Sequence, residues 1–299
     1  MLRTVNGTPL RSIEVMRPYY QGGNPTAGWF VDCGLINTPS YPAVTGTITG
    51  LTNVASADHP PAFMGTGLLT CSAPPVPALA VGQVVRMNGT PGLTNPGWAT
   101  VSVVIDTTHA TIVARTPFTS LAPAASGSWT LTTPVSTISG MGYLAGESVA
   151  ISGDGIYQGV QTAAGSLTLT NKASMVIAGL PFSSWLVSQP LELLARNQQA
   201  AAGKTKGVRS AYVRLDQTIG GSVGLRRHDP DTDAFTDTLD YLPGQQASAD
   251  ANAAPLTFTG VRRKRLTGSS DFEGRVIAMQ SQPYPMTVLS IGATVEEAA

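Results

Sequence analysis

The chain has 299 residues, with 18 Lys plus Arg balancing 18 Asp plus Glu, and only 12% of its residues are charged, about half the usual globular share. A hydrophobic share of 42% excludes a disordered chain, and 32 glycines without a Gly-X-Y period exclude collagen. Zero net charge argues against a dedicated nucleic-acid binder, and so sparse a charge points to surface hidden against other subunits.

Taken in chain order, the start Met1-Leu2-Arg3-Thr4-Val5 lacks an apolar core, so no secretory signal is expected. Thr47-Ile48-Thr49-Gly50 echoes Thr137-Ile138-Ser139-Gly140, and Gly82–Gly89 echoes Gly146–Gly153 as turn, strand, turn. Ala73-Pro74-Pro75-Val76-Pro77 reads as a hinge. Val101–Ile105 is strand-sized and stops at Asp106; no apolar run approaches the ~20 residues of a membrane span. Gly127–Thr132, Gly165–Asn171 and Ser210–Asp216 alternate apolar with polar residues, the period of half-buried antiparallel strands. Pro190–Ala202 reads either as one short helix ended by Gly203 or as an extended strand plus loop.

The class expected is all-β, antiparallel sandwich or small-barrel domains, with one β module inserted into another. Between Leu51 and Leu180 the charges are Asp58, Arg86, Asp106, Arg115, Glu147, Asp154 and Lys172 alone. Residues 46–135 are read as an inserted small barrel. Residues 1–45 supply strands that complete the main β domain, 136–299.

Catalytic patterns are scarce. Cys33 and Cys71 show neither a disulfide framework nor metal spacing, which fits a reducing cytoplasm. His59, His109 and His228 pair with nothing at metal-ligand spacing. There is no Gly-x-Ser-x-Gly elbow and no phosphate loop, and Gly153-Asp154-Gly155 reads as a turn because Asp-Gly adopts positive φ readily. The expectation is that the chain is not an enzyme and carries no cofactor.

One acidic segment has metal-like spacing. Asp229, Asp231, Asp233, Asp237 and Asp240 fall at positions one, three, five, nine and twelve of a Ca²⁺-loop register. Against that reading stand Ala234 in place of the turning glycine, Pro230 near the start, Asp at position twelve and β-like flanks. The alternative is a solvated acidic loop. Basic residues cluster at Lys204, Lys206 and Arg209, at Arg226 and Arg227, and at Arg262, Arg263, Lys264 and Arg265. The last four lie beside a strand whose side chains alternate between faces. They serve as edge charge, as a subunit contact complementary to the acidic segment, or as a contact to DNA.

The outer pieces resemble a known family. Ile13-Glu14-Val15-Met16 followed by Phe30-Val31-Asp32-Cys33-Gly34-Leu35 resembles "IERM … FVDSGL", and Thr137–Val149 resembles "TISGLDHLEGETV". Ala178-Gly179-Leu180-Pro181-Phe182 is similar to "VGLPY", and Gln189-Pro190-Leu191-Glu192 to "LPLE". Gly274-Arg275-Val276-Ile277 with Pro283–Ile291 resembles "GRVVIRQDDPLPLTVLAI". These motifs follow the order of the C-terminal module of tail nozzle proteins of short-tailed bacteriophages, the tail tubular protein B or packaged-DNA stabilisation group. Val81–Ile112 resembles the small β-barrel of the first catalytic cysteine half-domain fold, a spacer in phage tail proteins.

The resemblance implies a structural protein of the virion tail, made in the host bacterial cytoplasm. It implies a homo-oligomer, a ring of six for a nozzle, contacts with other tail proteins (adaptor, nozzle or fibre), DNA passing through a lumen, and no membrane. Larger relatives carry a propeller-like portion before this module; here ten residues precede the match, which implies a propeller-less or ancillary version. The rival expectation is a receptor-binding, adhesin-like tail appendage. It requires a trimer and surface aromatics, for which Trp29, Trp98, Trp129 and Trp185 are the candidates.

Overall fold

The computed structural model describes residues 2–5, 8–11, 30–37, 43–53, 63–87, 98–115, 118, 129–190, 206–229, 234–242, 245–246, 255–266, 270–271 and 275–297. The fold is all-β with antiparallel sheets, as the alternating patterns require. The segment from Leu191 to Ala202, where a helix or strand plus loop was expected, lies outside the described residues.

By internal contacts the chain divides into two units. The first is Met1–Pro181 with Gln246–Leu256; the second is Phe182–Gln245 with Thr257–Ala299. The boundary at Pro181 falls inside the 136–299 stretch read from sequence as one domain.

The first unit opens with a hairpin of β1 (Leu2–Val5) and β2 (Thr8–Arg11). It then reaches β3 (Asp32–Asn37). The barrel module comprises β4 (Ala43–Val44), β5 (Gly46–Thr49), β6 (Thr52–Asn53), β7 (Phe63–Met64), β8 (Thr66–Cys71), β9 (Val84–Met87), β10 (Trp98–Val104), β11 (His109–Ala114) and β12 (Trp129–Thr132). Seven of these form one sheet in the order β4-β12-β9-β10-β11-β8-β5. Its two end strands, β4 and β5, are separated in the chain by Thr45 alone, so the sheet has to curl round until its ends meet. The inward residues, among them Ile48, Leu69, Val85, Val101, Ile112 and Leu131, fill the interior together with Phe118. The β8 and β11 burial patterns alternate strictly, which is the signature of a wall with one dry face.

A second core follows in the same unit. It is built from β13 (Val135–Ser139), a 3₁₀ turn (Met141–Leu144), β14 (Ser148–Gly153), β15 (Ile156–Thr162), β16 (Ser166–Ala173) and β17 (Val176–Leu180). The strand order β15-β14-β17-β3 brings β3 across the whole barrel module to pair with β17, Ile36 opposite Ile177. Ile138, Met141, Leu144, Ile151, Leu167 and Val176 are its buried centre. The β14–β15 hairpin turns on Asp154 and Gly155, both at positive φ (52° and 81°), the geometry a two-residue Asp-Gly loop supplies.

The second unit is a sandwich. Its strands are β18 (Ser184–Val187), β19 (Lys206–Thr218), β20 (Ser222–Asp229), β21 (Ala234–Tyr241), β24 (Phe258–Arg265), β25 (Ser270–Asp271), β26 (Arg275–Gln280) and β27 (Thr287–Glu297), while the short ribbon of β22 (Gln245–Gln246) and β23 (Pro255–Leu256) falls at the boundary and in the first unit. One sheet runs β18-β26-β20-β21. In the other, the long β19 lies between β24 and β27, with β25 beside its start. Val213 and Leu215 of β19 meet Val223 and Leu225 of β20 and Val276 and Ala278 of β26 in one dry layer.

Candidate interaction surfaces

The described part of the acidic segment is strand. Asp229 ends β20 and pairs with Ala234, so β20 and β21 form a hairpin whose extended arm already contains Asp237 and Asp240. Three residues apart on a strand, those two side chains leave opposite faces, and an extended chain does not wrap an ion. Asp237 is also taken: its Oδ1 accepts Arg226 Nε at 2.7 Å and its Oδ2 accepts Nη2 at 2.8 Å. That bidentate partner pushes the Arg226 guanidinium further above its ordinary value. Asp231 and Asp233 lie outside the described residues. Among the described residues, no three His, Cys, Asp or Glu converge to hold a metal ion.

The basic strand is β24, and it has one neighbour, β19, among the described strands. Its side chains alternate as expected. Arg262 and Lys264 are half-buried; Arg263 and Arg265 are exposed. Arg262 lies 3.9 Å over the ring of Phe258, which packs on the sandwich core. Lys264 reaches to 4.0 Å from Asp240, an ion pair between the two sheets of one chain. Part of the acidic–basic pairing expected between subunits is therefore met within the chain, by Lys264–Asp240 and Arg226–Asp237. Lys204 lies outside the described residues, Lys206 begins β19, and Arg209 sits exposed at a bulge of the same strand.

A third cluster, which sequence did not pair, joins the barrel to the second core. Arg86 of β9 forms an ion pair with Asp154 of the β14–β15 turn. Asp154 Oδ1 also accepts the Ser174 hydroxyl at 2.7 Å and the Met175 N–H at 2.9 Å, and Oδ2 accepts the Ser174 N–H at 2.9 Å. Arg86 Nε donates to Ser174 Oγ at 3.1 Å, and the guanidinium lies 5.2 Å over the buried Trp98 ring. A groove of about 380 Å³ runs along this seam. Several of its polar side chains are engaged internally: Gln83 binds the Ala78 and Ala80 backbone, Gln158 the Asn171 backbone, and Arg115 Nε the Thr100 hydroxyl. The seam is organised as a joint, not as a converging set of reactive groups.

The remaining titratable turn is Asp106–His109, between β10 and β11. Asp106 Oδ1 accepts the Thr108 and His109 N–H groups at 2.7 and 2.8 Å. These bonds, the Thr108 backbone first, hold its carboxyl down to about 2. Cys71 lies in the barrel interior, where burial pushes its thiol up and away from reactivity.

Two surfaces stand out. The face of the β18-β26-β20-β21 sheet turned away from the sandwich core carries rows set by its register: Trp185, Met279, Ser222 and Tyr241 in one, Val187, Ile277, Gly224 and Leu239 in the next; Ile277 and Gly224 are buried, and the exposed side chains stand on the two edge strands. Trp185 is 61% exposed, Phe235 51% and Tyr241 50%. The other is the outward face of β24-β19-β27, which carries arginines. Strand register, not local sequence, assembles both. Trp98 is buried in the seam and contributes to neither. Compared with known protein families and with curated proteins, the chain matches none.

Proposed function

We propose that this chain is a structural subunit of a short-tailed bacteriophage tail that works by assembly and not by catalysis. The observation that carries the assembly reading is the aromatic outer face of the β18-β26-β20-β21 sheet. Trp185, Phe235 and Tyr241 are at least half exposed on one face of this sheet, where Arg226 and Arg275 lie over the Phe235 ring. Exposed aromatics that share one sheet face are enriched at protein–protein contacts. The low charge of the chain and the ordered nozzle-like motifs on both sides of the barrel support the tail setting. The second copy of the chain is the occupant of that face, and repetition of a head-to-tail contact closes a ring of six.

A second reading, a receptor-binding tail appendage, draws on the same face: Trp185 and Tyr241 share one register row and offer flat rings to a sugar. The order of assembly separates the two, six for the ring and three for the appendage. Under the ring reading, Trp185→Ser with Tyr241→Ser yields monomers by light scattering while the far-ultraviolet spectrum stays that of the parent. Assembly unchanged by both substitutions removes the face from the contact.

A further inference from the structure

The outward face of the second sheet of the sandwich is assembled from three strands. Register places Arg265, Ser210 and Thr294 in one row, Arg263, Tyr212 and Gly292 in the next, and Val261, Arg214 and Ser290 in the third. Arg214, Arg263, Arg265, Ser290 and Gly292 are all exposed. Along a strand, residues two apart stand roughly 6.6 Å from each other, and neighbouring strands are about 4.8 Å apart. Three guanidinium groups therefore share one small, flat patch. Among the described side chains, the carboxylate nearest in the chain is Asp216, at the end of the face, and it accepts the Thr259 hydroxyl at 2.9 Å.

Edge protection does not explain the patch. Charges that blunt a sheet edge sit on the edge strand, as Arg263 and Arg265 do, but Arg214 belongs to the central strand β19. Nor do the two carboxylates of β21 explain it, since they engage Arg226 and Lys264. The patch is all arginine, whose planar fork matches phosphate oxygens in pairs.

We propose that this face binds the sugar–phosphate backbone of double-stranded DNA through Arg214, Arg263 and Arg265, without reading bases. The Tyr212 ring is covered by the Arg263 guanidinium at 5.3 Å, and its hydroxyl is held by Thr294 at 3.2 Å, so it is no stacking platform for single strands. The face is a broad three-stranded surface, whereas the major groove admits a helix or a two-stranded ribbon to the base edges. The neutral total charge does not oppose this, because an average over the whole chain does not describe one face, here three arginines with Asp216 at its end. The inference deepens the tail reading by naming what one face touches, but rests on the geometry of this sheet alone.

The test is fluorescence anisotropy with a labelled 25-base-pair duplex between 50 and 200 mM NaCl. Three phosphate contacts give a log–log salt slope of about −2.7, steeper when several copies engage one duplex. Arg214→Gln, Arg263→Gln and Arg265→Gln together are expected to lower affinity at 50 mM salt at least tenfold and to flatten the slope. Lys264→Gln, on the opposite face, leaves it unchanged. Absence of duplex binding by the parent, or a slope unaltered in the triple variant, overturns the proposal. So does tighter binding of single-stranded DNA, or equal binding of heparin or polyaspartate. The three arginines are exposed, and matched melting curves establish that the variant is folded. The oligomeric mass of the triple variant is read alongside: a ring that does not bind DNA sinks this inference alone, and DNA binding by a monomer sinks the assembly reading alone.

Discussion

Asp106 and Asp154 are both turn aspartates, and the fold uses them differently. Asp106 sits on an exposed hairpin and accepts the Thr108 and His109 N–H groups, which lower its carboxyl from 3.8 to about 2. A depressed folded value means that stability is fully present above the unfolded value and is lost as pH falls through the folded one. The melting temperature of the parent should therefore exceed that of Asp106→Ala from neutral pH down to about pH 4. The gap should narrow between 3.8 and about 2. A gap independent of pH contradicts the assignment. Asp154 instead is 6% exposed at its side chain and holds Arg86, 18% exposed, together with two backbone N–H groups. Asp154→Ala leaves the guanidinium buried against Trp98 without its counter-charge, at a cost of about 3–5 kcal/mol. Arg86→Met leaves a carboxylate still served by Ser174 and Met175, so it should cost less. Urea unfolding of both variants checks the order, and the reverse order contradicts this account of the joint. The Asp-Gly turn was legible in sequence because positive φ selects those residues. Its partner was not, since Arg86 lies 68 residues away and no local rule pairs them.

At the scale of the element, period two was the readable signal and register the hidden one. The alternation of β24 announced which of Arg262, Arg263, Lys264 and Arg265 share a face. It gave no hint that Arg214 of β19 stands in the same patch, because Arg214 and Val261 are paired by the register between two strands, 261 − 214 = 47 positions apart, not by either strand's own pattern. The acidic segment meets the same limit. A spacing of aspartates suited to a wrapped loop is equally the spacing of a hairpin arm, and β21 is extended from Ala234 onward. The aromatic face likewise gathers Trp185 of β18 and Tyr241 of β21, which end up in one row only through β26 and β20. The loss of assembly expected from substituting both belongs to this scale: either residue alone is an ordinary exposed aromatic, and only the row makes a contact.

At the scale of the whole molecule, the charge average that opens the sequence dissolves into parts. The barrel and second core hold few charges, and one pair of them, Arg86 and Asp154, is withdrawn into the seam. The sandwich unit carries charge of both signs, with Asp237 and Asp240 paired within the chain and arginines displayed outward. The return of β3 across the barrel module to β17 bears on how such a chain is read: strands distant in sequence complete one sheet, so a module can be inserted without breaking its host. The neutral total therefore does not describe any surface of the protein. What the assembly reading requires is that the aromatic outer face of the sandwich meet another copy. The measurement that tests this most directly is the native mass of the full chain at micromolar concentration, by native mass spectrometry with particle imaging. A closed ring of six chains is the expected result. A monomer that persists throughout the micromolar range contradicts it.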